Sequence, residues 1–411
     1  MANLTTDICI VGAGPGGATA ALVLGRAGVP CMLVDKASFP RDKICGDALS
    51  GKVVEVLRKI DPTIAQRLAA EPTQVGSWGV NFVAPNGKAL RVPFKTSIDK
   101  AKDTAPGFII KRIDFDHFLL QEALKYPSVT YVPNLKLDQY TKTAEGFTAA
   151  DKEGTNTINA NLLLVADGAQ SSFARHHGGI QMEPKHYCAG IRAYYEGVQG
   201  MDADNFIELH FIKDLLPGYF WIFPLPNGGA NVGLGVRSDY ISKRKLNLKQ
   251  LLPQVIEGNS VLKKRFEQAT LVDEVRGYGL PLGSKKRPIS GDNFMLIGDA
   301  ASLIDPFTGE GIGNAMMTGM LAAQQALASS NFTKASLAAY DIAVYRRLWS
   351  ELSLSRKMQQ LVTVPWLFNL IVNKAQKSKT LQETISCMFE DMDMRERLKQ
   401  PSFYVNLLLN K

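Results

Sequence analysis

Asp7-Ile8-Cys9-Ile10-Val11 runs directly into Gly12-Ala13-Gly14-Pro15-Gly16-Gly17, and a small-residue segment then leads to a second apolar run, Pro30-Cys31-Met32-Leu33-Val34, closed by Asp35 and Lys36. A short, wholly apolar run marks a strand buried on both faces of a parallel sheet. With the helix-forming stretch 16–28 between them, the two runs spell strand, turn, helix, strand, the first βαβ unit of a doubly wound sheet. Gly12 permits the tight turn, Gly14 lets backbone approach a pyrophosphate, and Gly17 allows helix to pack closely on strand. Free N–H groups and a partial positive charge at the helix start suit phosphates. Asp35, 18 residues past Gly17, stands where a carboxylate accepts hydrogen bonds from ribose hydroxyls. The unit is read as a dinucleotide site.

Working outward, the 411 residues allow roughly two to four domains, or one large enzyme with a subdivided body. Hydrophobic residues at 45% and charged residues at 21% supply a large core, which excludes disordered, collagen-like and disulfide-scaffold classes. No apolar run approaches the ~18 residues that span a bilayer, and strand-like residues begin at Asp7, leaving no room for a secretory leader. Five cysteines, an odd number, read as reduced thiols. The expectation is a soluble cytoplasmic protein. The net charge of +8 raises nucleic acid and anionic membrane as partners. No Lys/Arg block is interleaved with aromatics, so no nucleic-acid partner is expected. After residue 330, twelve Lys/Arg face seven Asp/Glu, and this basic, apolar region points to peripheral contact with a membrane surface.

Further along, 50–68 reads as one helix, 75–96 as short alternating strands around the turn Pro85-Asn86-Gly87, and 114–126 as a helix. The strand 162–165 ends at Ala166-Asp167-Gly168. Strands follow near 189–197, 207–212, 219–224 and 230–236, then 294–297 runs into Gly298-Asp299. From Gly311 the chain reads helical, with Leu337, Tyr340, Val344, Leu348 and Leu352 at helical spacing. The expected class is α/β, α+β overall: a Rossmann-like dinucleotide-binding domain, an inserted mainly antiparallel β-sheet substrate domain and a helical C-terminal region. The expected divisions are 1–72, 103–170 and 271–330 for the first, 73–102 and 171–270 for the second, and 331–411 for the third.

The late segment selects the dinucleotide. Asp299 can hold the hydroxyls of a ribityl chain, and the turn through Pro306 and Gly309 brings the N–H groups of Gly311 and Ile312 toward the pyrimidine edge of a flavin. There the dipole of the following helix stabilises the negative charge of a reduced ring. A nicotinamide enzyme has no need of such an element. His176-His177 is not read as a metal site, because adjacent residues do not converge on one ion, and no metal is expected.

The N-terminal glycines, Asp167-Gly168 and Gly298-Asp299 together resemble the FAD-dependent p-hydroxybenzoate hydroxylase superfamily. Lys43-Ile44-Cys45-Gly46-Asp47 resembles the Lys-x-Cys-Gly stretch of its geranylgeranyl reductase family. Tyr219-Phe220-Trp221-Ile222-Phe223-Pro224, then eight residues, then Gly233-Leu234-Gly235, is similar to that family's Tyr-x-Trp-x-Phe-Pro…Gly-x-Gly motif. The match spans roughly 7–325; the last 80 or so residues match no family pattern, and Ser302 stands where hydroxylases often carry His. The resemblance implies non-covalent FAD, a sheet covering the isoalloxazine, and Arg112 at the flavin side of FAD rather than as a solvated charge at a helix start.

For a reductase of prenyl double bonds, Tyr219, Trp221 and Phe223 would share one aromatic strand face against an apolar chain. Periodicity alone reads the same strand as plain core, and Pro224 with Gly233 and Gly235 tips the reading to a substrate wall. Cys45, beside Lys43, is either a proton relay or a small residue whose backbone touches FAD, and Asp47 is another proton source. NAD(P)H or another reductant would bind transiently as donor, since no second nucleotide fold is present. The competing expectations are a flavin monooxygenase or halogenase, and a non-catalytic flavin-binding redox sensor.

Overall fold

The computed structural model describes residues 3–94 and 103–378; the ends of the expected second and third divisions, including the tail past 378, lie outside them. Asn3–Val11 is the central strand of the first sheet. It pairs in parallel with Cys31–Val34 on one side and Thr157–Val165 on the other, and Val129–Val132 and Phe294–Leu296 extend the parallel set outward. Its outer half alternates exposed and half-buried positions, while Ile8–Val11 are all buried, as expected of a strand end covered on both faces.

The helix Pro15–Arg26 crosses Ile312–Ala328 at a glycine pair. A Cβ on Gly16 would stand 3.1 Å from the Ala315 carbonyl oxygen, and one on Gly319 would strike the Gly16 backbone. Only hydrogen at both positions lets the two backbones meet. The tail helix Lys334–Leu361 buries Leu337, Tyr340, Val344, Leu348 and Leu352, and the Tyr340 hydroxyl donates to the Leu296 carbonyl at 2.7 Å, seating the tail on the first sheet.

The stretch expected as one helix over 50–68 is two, Gly51–Ile60 and Pro62–Ala69. Pro62 has no N–H and clashes with the preceding turn, so it starts a helix rather than continuing one. Asp61 ends the first and caps the second by accepting from the Thr63 N–H at 2.9 Å.

The second sheet has eight described strands, in the order Thr270–Leu271, Tyr187–Glu196, Gly229–Arg237, Tyr219–Pro224, Ile207–His210, Gly79–Val83, Ala89–Pro93, with Arg276–Pro281 also on Tyr187–Glu196. It is antiparallel except where Ile207–His210 meets Gly79–Val83. Arg276–Pro281 carries this sheet past the division expected at 270, while Gln74–Ser77 joins a small separate sheet with Gly107–Ile110 and Ala48–Leu49. Helices Ser238–Arg244, Leu248–Gly258 and Ser260–Arg265 fill a stretch in which no helix was expected. Asn247 and Asn259 cap the last two, each accepting two backbone N–H groups.

Candidate active site

One continuous cavity of about 1370 Å³ begins at the glycine turn, passes the 43–47 loop and ends between the second sheet and the C-terminal helices. At its first end Gly12, with φ +99, has no room for a side chain, because a Cβ would meet the Ala166 carbonyl. Gly17 lies against the Gly12 carbonyl with equally little room. Gly14 differs: its nearest neighbour would be the Arg41 guanidinium at 3.6 Å, so the space above it opens on the cavity. Asp35 accepts from the Ala13 N–H at 2.7 Å and the Ala37 N–H at 2.9 Å, so the acid at the strand end braces the turn as well as lining the cavity. Lys36 is exposed at the same rim.

Two helices start at this cavity, Pro15–Arg26 at Gly14 and Ile312–Ala328 at Gly311, and neither N-cap residue offers a side chain to the free N–H groups. Asp167, Gly168, Asp299, Gly309, Gly311 and Ile312 line the wall around them. Burial pushes the Asp167 carboxyl up to about 6 against the opposing Ser171 hydrogen bond, and its Oδ1 is buried without a partner among the described residues. A flavin dinucleotide fits these features: phosphates at an open glycine and an uncapped helix, a hydroxyl-rich chain beside Asp167 and Asp299, and for the ring the start of a second helix, whose Gly313 N–H is already taken by Glu310 Oε1 at 2.6 Å.

Four residues expected at the cofactor do not reach the wall. Ala13 serves Asp35, Gly17 packs on Gly12, Gly298 donates to the Thr318 hydroxyl at 3.0 Å, and the Pro306 carbonyl accepts from Gln359 at 2.6 Å. Arg112 is buried, not a solvated charge; its guanidinium makes a paired contact with Asp116 at 2.6 and 2.7 Å and faces Cys45. Lys43 sits over the Tyr278 ring at 4.2 Å, and burial lowers its pKa against the pull of Asp299.

Cys45 is half-buried on the wall and Gly46 lies against the Phe223 ring. Asp47 is fully buried with φ +67. Its Oδ1 accepts from the Arg112 N–H at 3.2 Å, and its Oδ2 accepts from the Tyr194 hydroxyl at 2.8 Å and the Asn231 amide at 2.7 Å. Burial nevertheless pushes its carboxyl up to about 6, with the Asn231 and Tyr194 bonds opposing. Tyr194 stacks under the Arg192 guanidinium at 3.9 Å, and buried Arg192 pairs with Asp42 at 2.6 Å. Tyr194, Arg192 and Asn231, which surround Asp47, were not singled out from the sequence.

On Tyr219–Pro224 the two faces part: Tyr219, Trp221 and Phe223 line the cavity, while Phe220 and Ile222 join the core beneath the three added helices. Trp221 pairs across the sheet with Gly233. A Cβ on Gly233 would stand 2.7 Å from Trp221 Cε2, so the indole lies flat on the neighbouring strand. Gly233 and Gly235 are therefore the floor under the indole rather than substrate wall, and Pro224 closes the strand away from the cavity. Beyond Tyr219 the cavity is apolar, with Phe82, Leu209, Phe307, Leu361, Phe368 and Val372 on its walls. Phe211 stacks on Phe307 at 5.5 Å and touches Phe368 at 4.8 Å, tying the C-terminal helix Pro365–Ala375 to this arm. The expectation for the tail named its core stripe and not this lining face. His177 stacks on Phe173 at 4.9 Å as part of an aromatic core.

Residues 5–204 match a family model for an FAD binding domain, and residues 188–277 match one for a geranylgeranyl reductase catalytic domain. The chain is 30% identical to the menaquinone reductase of Mycolicibacterium smegmatis, over 92% of this chain and 90% of that protein. It is also 30% identical to the digeranylgeranylglycerophospholipid reductase of Thermoplasma volcanium, over 84% of each. Among solved structures, a geranylgeranyl bacteriochlorophyll reductase-like protein of Thermoplasma acidophilum superposes with TM-score 0.80 at 23% identity, covering 97% of this chain and 99% of that one. The flavin-dependent brominase Bmp2 superposes at 0.76 with 20% identity, covering 98% of each, a likeness of fold alone. With the flavin-shaped cradle, the two domain matches and the full-length relatives in agreement, the chain belongs to the geranylgeranyl reductase family of FAD-dependent oxidoreductases.

Proposed function

We propose that the protein reduces carbon–carbon double bonds of a prenyl or other apolar, lipid-like substrate, with the first sheet's part holding FAD and the second sheet's part holding the substrate. The observation that carries this is the continuity of the cavity from the open glycine cradle to an arm walled by Phe82, Phe307 and Phe368. A flexible apolar chain suits such an arm, which gains from burying it and excludes water. The relatives named as menaquinone and digeranylgeranylglycerophospholipid reductases support the same substrate class.

Bound FAD supplies a hydride when reduced. The chain's own residues orient the substrate and hold a proton for the neighbouring carbon. In the 43–47 loop both oxygens of Asp47 already accept hydrogen bonds, so the half-buried Cys45 thiol on the cavity wall is the better placed of the two protic groups. NAD(P)H or another soluble reductant recharges the flavin in transient encounters. Among the described residues no helix is long and apolar enough to cross a membrane. The basic region after residue 330 supports peripheral docking on an anionic bilayer, where such a substrate resides. Salt and removal of the tail past 378 should each lower co-sedimentation with anionic vesicles; sedimentation unchanged by either would end the docking proposal.

The deciding experiment reduces the protein with dithionite without oxygen, adds a geranylgeranyl lipid, and follows flavin re-oxidation with product mass. Two hydrogens gained per reduced bond is the expected result. If no prenyl compound re-oxidises the flavin while an aromatic acceptor gains oxygen or halogen in air, the protein is an oxygenase or halogenase instead.

A further inference from the structure

Asn231 lies in Gly229–Arg237, on the strand between Tyr219–Pro224 and Tyr187–Glu196, and is fully buried. A side-chain amide offers an acceptor oxygen and a two-hydrogen donor nitrogen, and here both ends are used. Oδ1 accepts from the Trp221 indole N–H at 2.9 Å. Nδ2 donates to the Cys45 carbonyl at 2.8 Å and to Asp47 Oδ2 at 2.7 Å. The partners fix the orientation, since a flipped amide would set N–H against the indole N–H. Trp221 has bare Gly233 beneath it, so no side chain there holds the ring from turning.

We propose that Asn231 is a positioning residue that locks the cofactor-side loop 43–47 to the Trp221 indole of the substrate wall, so that neither moves without the other. A carboxylate at this position would lose both donations, and an apolar residue of similar size would lose all three bonds. Aspartate and leucine therefore probe different parts of the lock. The mechanism above uses Cys45 and the aromatic wall separately; this inference joins them, and only its kinetic arm rests on the proposed reduction.

The test measures the alkylation rate of Cys45 by iodoacetamide in FAD-loaded protein, resolved by peptide mass spectrometry, in wild type, Asn231→Leu, Asn231→Asp, Trp221→Phe and the Asn231→Leu/Trp221→Phe double variant. Asn231→Leu should raise the rate roughly tenfold, equivalent to ~1.4 kcal/mol and to the loss of one or two hydrogen bonds. Trp221→Phe removes the indole N–H together with part of the ring that covers Gly233, and should raise the Cys45 rate as well by freeing the amide to rotate. In the leucine background it should add nothing, because coupled residues are non-additive. In the Asn231 variants, with a prenyl lipid as substrate, kcat should fall while KM and the FAD dissociation constant hold. If Asn231→Leu does not fold, Asn231→Asp tests the loop half alone: it keeps an acceptor for the indole, loses both donations and should still raise the Cys45 rate. Wild-type labelling in the folded Asn231 variants, or independent effects of Asn231 and Trp221, overturns the proposal. The labelling uses no substrate, so it gives its answer even if prenyl reduction proves wrong.

Discussion

Replacing Asp47 by asparagine should flatten part of the pH dependence of stability. Burial holds the Asp47 carboxyl at about 6 against an ordinary 3.8. The folded chain thus binds this proton more tightly than the unfolded chain. The resulting stabilisation is complete below the unfolded value and is lost as pH rises through the folded one. At 1.36 kcal/mol per pH unit the whole effect is roughly 3 kcal/mol, and about half of it, ~1.4 kcal/mol, falls between pH 5 and pH 8. Asparagine cannot titrate, so Asp47→Asn should lose ~1.4 kcal/mol less than wild type over that interval. It brings its own cost. Three donors converge on the carboxylate, the Arg112 N–H, the Tyr194 hydroxyl and the Asn231 amide. The asparagine NH2 must face one of the N–H groups, a penalty of about 1–3 kcal/mol that applies at both pH values. Asp167, Asp305 and Glu310 are raised in the same direction by burial, and they cancel in the comparison because both proteins carry them. Urea unfolding at fixed, saturating FAD measures the difference. Parallel pH profiles for the two proteins would refute the buried, proton-binding Asp47.

The two functional glycines of the cradle should respond in opposite ways. Gly14→Ala has room for its methyl, with the nearest atom 3.6 Å away, so stability should fall by no more than about 1 kcal/mol for a poorer cap. FAD affinity should drop roughly tenfold where the methyl meets the pyrophosphate, and titration of the apoprotein with FAD reads this. Gly17→Ala drives its methyl into the Gly12 carbonyl and should cost about 1–3 kcal/mol of stability, visible in urea midpoints even without FAD. Asp299→Ala should weaken FAD by about 1–3 kcal/mol through lost hydrogen bonds; unchanged affinity and visible spectrum would make Gly298-Asp299 a mere turn.

Much of the fold was legible because it depends on neighbours in sequence. The buried run Ile8–Val11 and the glycines that follow are one local pattern, and their parallel pairing with 31–34 follows from the short helical crossover between them. Where local signals conflicted, the reading slipped. Pro62 sat inside an otherwise helical pattern and was read through, although it splits the helix at Asp61. The capping asparagines at 247 and 259 were passed over in a stretch dominated by strand-like runs. Arg276–Pro281 has too many glycines and polar residues to look like a strand, and only its pairing with Tyr187–Glu196 makes it one.

The site divides along the same line, and the division says where function sits. Residues whose role is to leave space could be read one by one, because a glycine or an uncapped helix start acts through its own backbone. Asn231 could not. Its partners are 10, 184 and 186 residues away, and the Tyr194–Asp47 bond spans 147. An asparagine among Ala230, Val232 and Leu234 looks like a defect in a core strand, yet a buried amide costs free energy unless every one of its bonds is made. The defect was therefore itself the signal. A polar side chain in an apolar strand, paired with Phe223 and diagonal to the Trp221 that needs an acceptor, marks the place where the aromatic wall is tied to the 43–47 loop. The apolar arm follows the opposite logic. Leu361, Phe368 and Val372 look like ordinary core, and only the cavity they face distinguishes them from the stripe at Leu337–Leu352 that holds the tail in place. Specific bonding thus concentrates at the cofactor loop, while the far arm is walled mainly by apolar side chains, which suits a substrate with little to hydrogen-bond along its chain.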